Sequence, residues 1–296
     1  MTYSIVARDP KTGRFGIAVQ SHAFTVGPIV PWAEAGVGAI ATQAFVNVSF
    51  GPIGLEMLRN RWSADRVVAA LVAGDEQADQ RQIGVVDGTG AVAAHTGSAC
   101  IPACGHASGE GFSVQGNLLE RDEVWSSMTP AYEEATSADL PFSERLLRAL
   151  EAAEAAGGDV RGRQSAAILI VEGSLQAAAW RGRLMDLRVE DHPDPVPELR
   201  RLVNLWEAQA LLDDEGDAAK AGASEADRYQ EARRRAPEFT ELAFWAGVEL
   251  ATRGDLQTAR RELAIAFAAD ARWRTTLRHM AGIRIDPELA EKLLAD

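Results

Sequence analysis

From its second residue the chain alternates apolar and small polar positions. Thr2-Tyr3-Ser4-Ile5-Val6-Ala7-Arg8-Asp9 has the two-residue period of a strand. In Pro10-Lys11-Thr12-Gly13, Pro fixes φ and Gly accepts a positive one, so the chain turns. Phe15-Gly16-Ile17-Ala18-Val19-Gln20 then returns as a second strand closed by Ser21-His22, and the chain opens on a hairpin. A loop through Pro28 and Pro31-Trp32 leads to Gly36–Gln43, a third strand whose small residues let another layer approach closely.

The period then changes. Gly51–Arg61 and Ser63–Ala73 read as helices, the second with Ser63 as N-cap and an apolar stripe of Val67, Val68, Leu71 and Val72. Gln82–Asp87 and Ala91–Thr96 form a hairpin around Gly88-Thr89-Gly90. A Gly-rich segment precedes the short strand Phe112–Asn117. Helices follow over 120–134 and Ser143–Ala156, the latter capped by Ser143 and stopped by Gly157-Gly158. Strands return over Ser165–Glu172, Leu175–Trp180 and Leu184–Val189. Strands, helices, strands, helices, strands is the order of an α/β (α+β) domain in which two sheets lie between helix layers.

Residues 191–197, Asp-His-Pro-Asp-Pro-Val-Pro, break this texture, and the proline content predicts a stiff, non-helical linker between a domain at 1–190 and a helical domain at 198–296. Helices are expected at Glu198–Asp213, Ala226–Arg235, Glu238–Thr252 and Leu256–Ala269, with an acidic loop over Asp213–Ala223. Phe244-Trp245-Ala246-Gly247 followed by Gly254-Asp255-Leu256 resembles a tetratricopeptide-type hairpin, within about 226–270. Little more than one such unit is present, so it should lean on neighbouring helices or a second subunit.

Charge narrows the partners. With 43 acidic against 30 basic residues the net charge is −13, which repels phosphate backbones and anionic membrane surfaces. A small-molecule substrate or another protein fits better than nucleic acid or membrane, and a homo-oligomer is expected. No stretch approaches the about 18 apolar residues that span a bilayer, so a cytoplasmic location is expected. Cys100 and Cys104 are the only cysteines, too few for a structural zinc site, and read as reduced, partly buried thiols.

The candidates for chemistry are polar residues at strand ends. Thr2 is the sharpest candidate, because with Met1 removed it would carry a hydroxyl and a free α-amine on one residue, a nucleophile with its own base. In an antiparallel hairpin the start of one strand lies beside the end of its partner, which brings Ser21 and His22 towards Thr2. Gln43 and Asn47 follow the third strand and would orient a substrate. Thr96-Gly97 and Gly116-Asn117 offer NH groups at turns for a developing oxyanion. His95 and His106 read first as structural histidines, with His95 also a candidate substrate contact. His192 with Asp191 and Asp194 reads as solvated linker, and no metal or organic cofactor is expected. Phosphate loops, dinucleotide fingerprints, nucleophile elbows and His-Glu-x-x-His motifs are all missing from the sequence.

Five ordered motifs carry a family resemblance: Thr2–Asp9, Val30-Pro31-Trp32-Ala33-Glu34-Ala35-Gly36-Val37-Gly38-Ala39, Ala41-Thr42-Gln43-Ala44, Ala94-His95-Thr96-Gly97 and Gln115-Gly116-Asn117. Together they resemble the domain of unknown function 1028 family, from Thr2 to about Val189. That resemblance implies a four-layer αββα sandwich like that of the N-terminal nucleophile (Ntn) hydrolases, with a C-terminal helical segment described in relatives as peptidoglycan-binding. It also implies amide hydrolysis with Thr2 as nucleophile. A non-catalytic ligand- or glycan-binding protein that retains the fold, its tail mediating assembly, is the alternative.

Overall fold

The computed structural model describes residues 2–212, 222 and 225–295. Met1 and the acidic stretch expected as a loop at Asp213–Ala223, apart from Gly222, lie outside the described residues. Two compact units are present, one ending at Arg200 and the other beginning at Arg201.

The first unit is built on two antiparallel sheets. Strands β1 (Thr2–Arg8), β2 (Phe15–Ser21), β7 (Gly105–Gly109), β8 (Phe112–Asn117), β9 (Ser165–Val171) and β10 (Arg183–Val189) form a six-stranded sheet in the order β10-β9-β2-β1-β8-β7. Strands β3 (Pro31–Glu34), β4 (Gly38–Ala44), β5 (Arg81–Asp87) and β6 (Val92–Thr96) follow one another in a four-stranded sheet. The faces between the sheets carry Val6, Ile17, Val19, Ala39, Ala41, Val86 and Leu169. On the far face of the smaller sheet, Ile40, Ile83 and Val85 pack with Leu55, Leu58, Val67 and Leu71 of α1 (Phe50–Arg59) and α2 (Ala64–Ala73). The larger sheet is covered by α3 (Glu123–Ser126), α4 (Met128–Ser137) and α5 (Phe142–Ala155), and a Cβ on Gly16 of β2 would come within 2.6 Å of Leu146 on α5. The order is therefore helix, sheet, sheet, helix. Each fully buried Leu or Ile contributes about 1.5–3 kcal/mol by leaving water.

The two-residue period decides what each face can do. In β1, Tyr3 points to α5, where its hydroxyl bonds Glu154, and burial followed by the Glu154 charge hold its pKa well above the ordinary tyrosine value. The even positions Thr2, Ser4 and Val6 face the other sheet instead. Register confirms the opening hairpin, with Tyr3 opposite Gln20 and Arg8 opposite Phe15. Asp9 holds its turn by accepting the Lys11 and Thr12 amides and the guanidinium of Arg145 at 3.0 Å.

Several local expectations are corrected. Pro31-Trp32 is not loop but the start of β3, an edge strand, where a proline costs no ladder bond. The Gly-rich segment contains β7, pairing with β8 from Gly105–Gly116 to Gly109–Phe112. Leu175–Trp180 is not a strand; Leu175 and Trp180 are 67% and 79% exposed, and a 3-10 turn spans Ala179–Gly182. Ser63 does not cap α2 with its side chain; the Asp87 carboxylate accepts the Ala64 amide at 3.1 Å instead. Ser143 does not cap α5, which starts one residue earlier at Phe142. The expected linker at 191–197 is shorter, because α6 spans Pro195–Ala210 and both of its prolines sit in the first turn, where the lost NH has no helical partner in any case. Arg200 ties the start of α6 to Glu144 of α5 at 2.6 Å.

The second unit contains α7 (Glu225–Arg235), α8 (Thr240–Thr252), α9 (Leu256–Ala269), α10 (Arg272–Met280) and α11 (Pro287–Leu294). Helices α8 and α9 form a hairpin through Gly254, whose φ is +91°, with Asp255 capping the Thr258 amide. Gly247 permits the close crossing, since a Cβ there would lie 2.6 Å from Leu263. Phe244, Val248, Leu263, Leu277 and Leu293 make its core. No described helix is long and apolar enough to cross a membrane.

Candidate functional site at the strand ends around Thr2

Antiparallel pairing brings one set of strand ends to one rim. Thr2 begins β1, Ser21 ends β2 and Asn117 ends β8, while in the smaller sheet β4 ends just past Gln43, β5 begins just before Gln82 and β6 ends at Thr96. Thr2 is directly opposite Asn117, and Gln43 is opposite Gln82. Thr2 is only 5% exposed, and its hydroxyl donates to Ser21 Oγ at 3.1 Å.

Behind Thr2 the inter-sheet space is polar. Gln82 Nε2 lies within hydrogen-bond reach of the carbonyls of Gly116 at 2.8 Å and Gly105 at 3.1 Å and of Thr96 Oγ1 at 2.9 Å, three acceptors that share its two N–H bonds. Gln82 Oε1 accepts from Gln43 Nε2 at 2.8 Å and Asn117 Nδ2 at 2.9 Å. Those same two nitrogens reach the Thr2 carbonyl, at 3.2 Å from Gln43 and 3.4 Å from Asn117. Gln43 Oε1 accepts the Ser4 hydroxyl at 2.6 Å, Ser4 Oγ accepts Gln115 Nε2 at 2.6 Å, and Gln115 Oε1 accepts the Ser113 hydroxyl at 3.0 Å. Gln43, Gln82, Gln115 and Asn117 are each at most 2% exposed. Buried amides of this kind stay folded only when their donors and acceptors are matched.

The other candidates are placed variously. The His22 amide donates to Asp159 Oδ2 at 3.0 Å, and its ring meets the Arg163 carbonyl at 3.2 Å, in the loop that precedes β9. Asn47 clamps the loop after β4, donating to Asp75 Oδ2 at 3.0 Å and accepting the Ser49 amide at 3.1 Å. Asp75 also receives Arg81 Nε at 2.8 Å, and the Arg81 and Asn47 bonds hold its carboxyl well below the usual range. His95 is opposite Ile83, on the face turned to α1 and α2, and its Nε2 meets the Ala78 carbonyl at 2.9 Å. The Gly97 amide donates to the Arg81 carbonyl at 2.9 Å, so that NH is occupied. Gly116 lies within the ladder, opposite both Tyr3 and Gly105. Thr96 Oγ1 lies 2.8 Å from His106 Nδ1. Burial, and then the neighbouring His95, push the His106 pKa down.

The structure thus gathers Thr2, Ser21, Gln43, Thr96, Gly116 and Asn117, and places His22, Asn47, His95 and Gly97 in supporting loops or on other faces. Sequence reasoning missed Gln82 and Gln115. Their signal was a glutamine within a strand of small and apolar neighbours, at a position whose alternation assigns it to a buried face. Both cysteines are free, Cys100 buried and Cys104 half-buried. Among the described residues no group of three or more His, Cys, Asp or Glu is arranged to hold a metal ion.

Residues 2–199 match the family of unknown function DUF1028. The chain belongs to the DUF1028 family. The crystal structure of a DUF1028 protein from Silicibacter pomeroyi is similar at a TM-score of 0.61 and 31% identity, over 74% of this chain and 92% of that one. None of the curated proteins matches the chain. The DUF1028 match covers the two-sheet unit, so every residue of the rim lies inside it.

Proposed function

We propose that this DUF1028 protein is an amide hydrolase of the Ntn type with Thr2 as its nucleophile. The observation that carries the reading is the placement of the Thr2 hydroxyl, nearly buried at the head of a central strand and held by Ser21, with its carbonyl gripped by Gln43 and Asn117. A nucleophile needs fixed geometry, and this one is held on both sides.

The reaction requires Thr2 to be the first residue. Its α-amine, with an ordinary pKa near about 8, then takes the hydroxyl proton as Oγ1 bonds to the substrate carbonyl carbon. The C–N bond breaks as that proton passes to the leaving amine, which leaves an acyl ester on Thr2. Water, deprotonated by the same amine, hydrolyses the ester and restores the hydroxyl.

The rim favours an apolar acyl group. Phe24, Phe45, Val48 and Ile101 are exposed in loops that leave these strand ends, and Val160 is exposed in the loop that leads into β9. The Leu118 amide donates to the Ile101 carbonyl and its own carbonyl accepts the Val160 amide, so two of these loops adjoin the residue after Asn117. Apolar side chains near a few convergent polar groups suit a small apolar acyl group. A series of straight-chain primary amides, followed by ammonia release on protein whose intact mass shows Thr2 at the N-terminus, tests the reading. Turnover should rise from acetamide to hexanamide and vanish in Thr2→Ala. Activity in protein that retains Met1, or unchanged turnover in Thr2→Ala, would overturn it.

A further inference from the structure

The orientations of the Gln82, Gln43 and Asn117 amides follow from backbone carbonyls. Gly105 O and Gly116 O can only accept, so the end of Gln82 that faces them is its nitrogen. Gln82 Oε1 is then the other end, and the groups that meet it, from Gln43 and Asn117, must be nitrogens. The Thr2 carbonyl imposes the same orientation on both residues independently. A side-chain amide has two N–H bonds. Asn117 spends one on Gln82 and one on Thr2, which leaves none for an oxyanion. Its Oδ1 bonds no described residue, although Asn117 is 2% exposed and the chain end opposite it is the proposed nucleophile.

We infer that Asn117 serves this site as an acceptor, its Oδ1 receiving an N–H of the bound substrate, and that Gln82 is the positioning residue that sets this orientation. The inference rests on the reading of Thr2 as the reacting group. It narrows the substrate class to primary and secondary amides, which carry an N–H on the scissile nitrogen, and excludes esters and N,N-dialkyl amides as preferred substrates. Gln82 reaches Asn117 from the smaller sheet, so the selectivity is built across the inter-sheet space.

The test compares butyramide with ethyl butyrate, which share an acyl group and differ in the N–H. In wild-type protein beginning at Thr2, Asn117→Ala should lower kcat/KM for butyramide about 10–100-fold and for the ester much less. Asn117→Asp, which keeps an oxygen at the acceptor position, should recover most of the amide preference. Gln82→Met should lower it in the same direction with the KM for butyramide raised. Equal losses on amide and ester would overturn the inference, as would a shift in the pH profile with the preference unchanged, which would put Oδ1 on the Thr2 amine. Binding separates this from the chemistry. Titrated into Thr2→Ala, butyramide should bind more tightly than N,N-dimethylbutyramide, and Asn117→Ala in that background should abolish the difference. Equal binding of the two amides to Thr2→Ala would overturn the acceptor role, whereas absence of turnover in wild-type protein with this binding preference intact would count against the Thr2 chemistry alone.

Discussion

Asp75 shows how a residue outside the inter-sheet network can support it. Its carboxylate joins Asn47, in the loop after β4, to Arg81, which immediately precedes Gln82. These bonds depress its pKa, so the carboxylate form is favoured in the folded state. A depressed carboxyl contributes stability that is present above the unfolded value of about 4 and is lost as pH falls from there towards the folded value. Asp75→Asn should therefore lower stability by about 1–3 kcal/mol at pH 7, by analogy with other charge-assisted bonds. Paired urea titrations at pH 7 and pH 3 check this, and the gap between variant and wild type should shrink at the lower pH. A gap of the same size at both would remove the carboxylate from the account. At this scale the sequence made Thr2, Ser21, Gln43 and Asn117 legible, because a strand end is readable from period and turn chemistry. Gln82 was not, since its importance comes from the carbonyls of Gly105 and Gly116, which belong to strands distant in sequence.

The close approach of the two sheets depends on small residues in their facing strands. A Cβ on Gly84 of β5 would lie 2.5 Å from Gln115 Oε1 and 3.1 Å from a methyl of Val6. Gln115 cannot yield freely, being held by Ser4 at 2.6 Å and Ser113 at 3.0 Å. Gly84→Ala should therefore cost about 1–3 kcal/mol through overpacking and detach Gln115 from Ser4. Thermal unfolding together with a crystal structure of the variant checks both parts; an unchanged melting temperature would show that the interior is looser than described. The opening hairpin, β5–β6 and the paired helices were legible because period and turn residues agreed. Strands β3 and β7 were not, because proline and glycine speak against a strand locally while edge pairing accommodates them. Over Leu175–Trp180 the apolar residues suggested a strand, but that segment gains no ladder partner and exposes Leu175 and Trp180.

At the scale of the whole molecule, the DUF1028 match and the rim both fall within the unit that ends at Arg200. The second unit has its own core around Phe244, Leu263 and Leu293. A chain ending at Arg200 should accordingly fold and show the amide turnover proposed for the full chain, as judged by circular dichroism and ammonia release. Loss of activity in a folded truncation would give the helical unit a part in the chemistry. The prolines read in sequence as a linker open α6 in the structure, since a proline in a first helical turn and a proline in a linker look alike in sequence. The central claim remains the nucleophilic role of Thr2, and trapping the acyl intermediate tests it most directly. Protein beginning at Thr2 is mixed with p-nitrophenyl butyrate, quenched in acid and mapped by peptide mass spectrometry. One butyryl group on the N-terminal peptide, located at Thr2 Oγ1 and absent from Thr2→Ala, is the result expected. Acylation at another residue, or none at Thr2 while p-nitrophenol is released, would contradict the account.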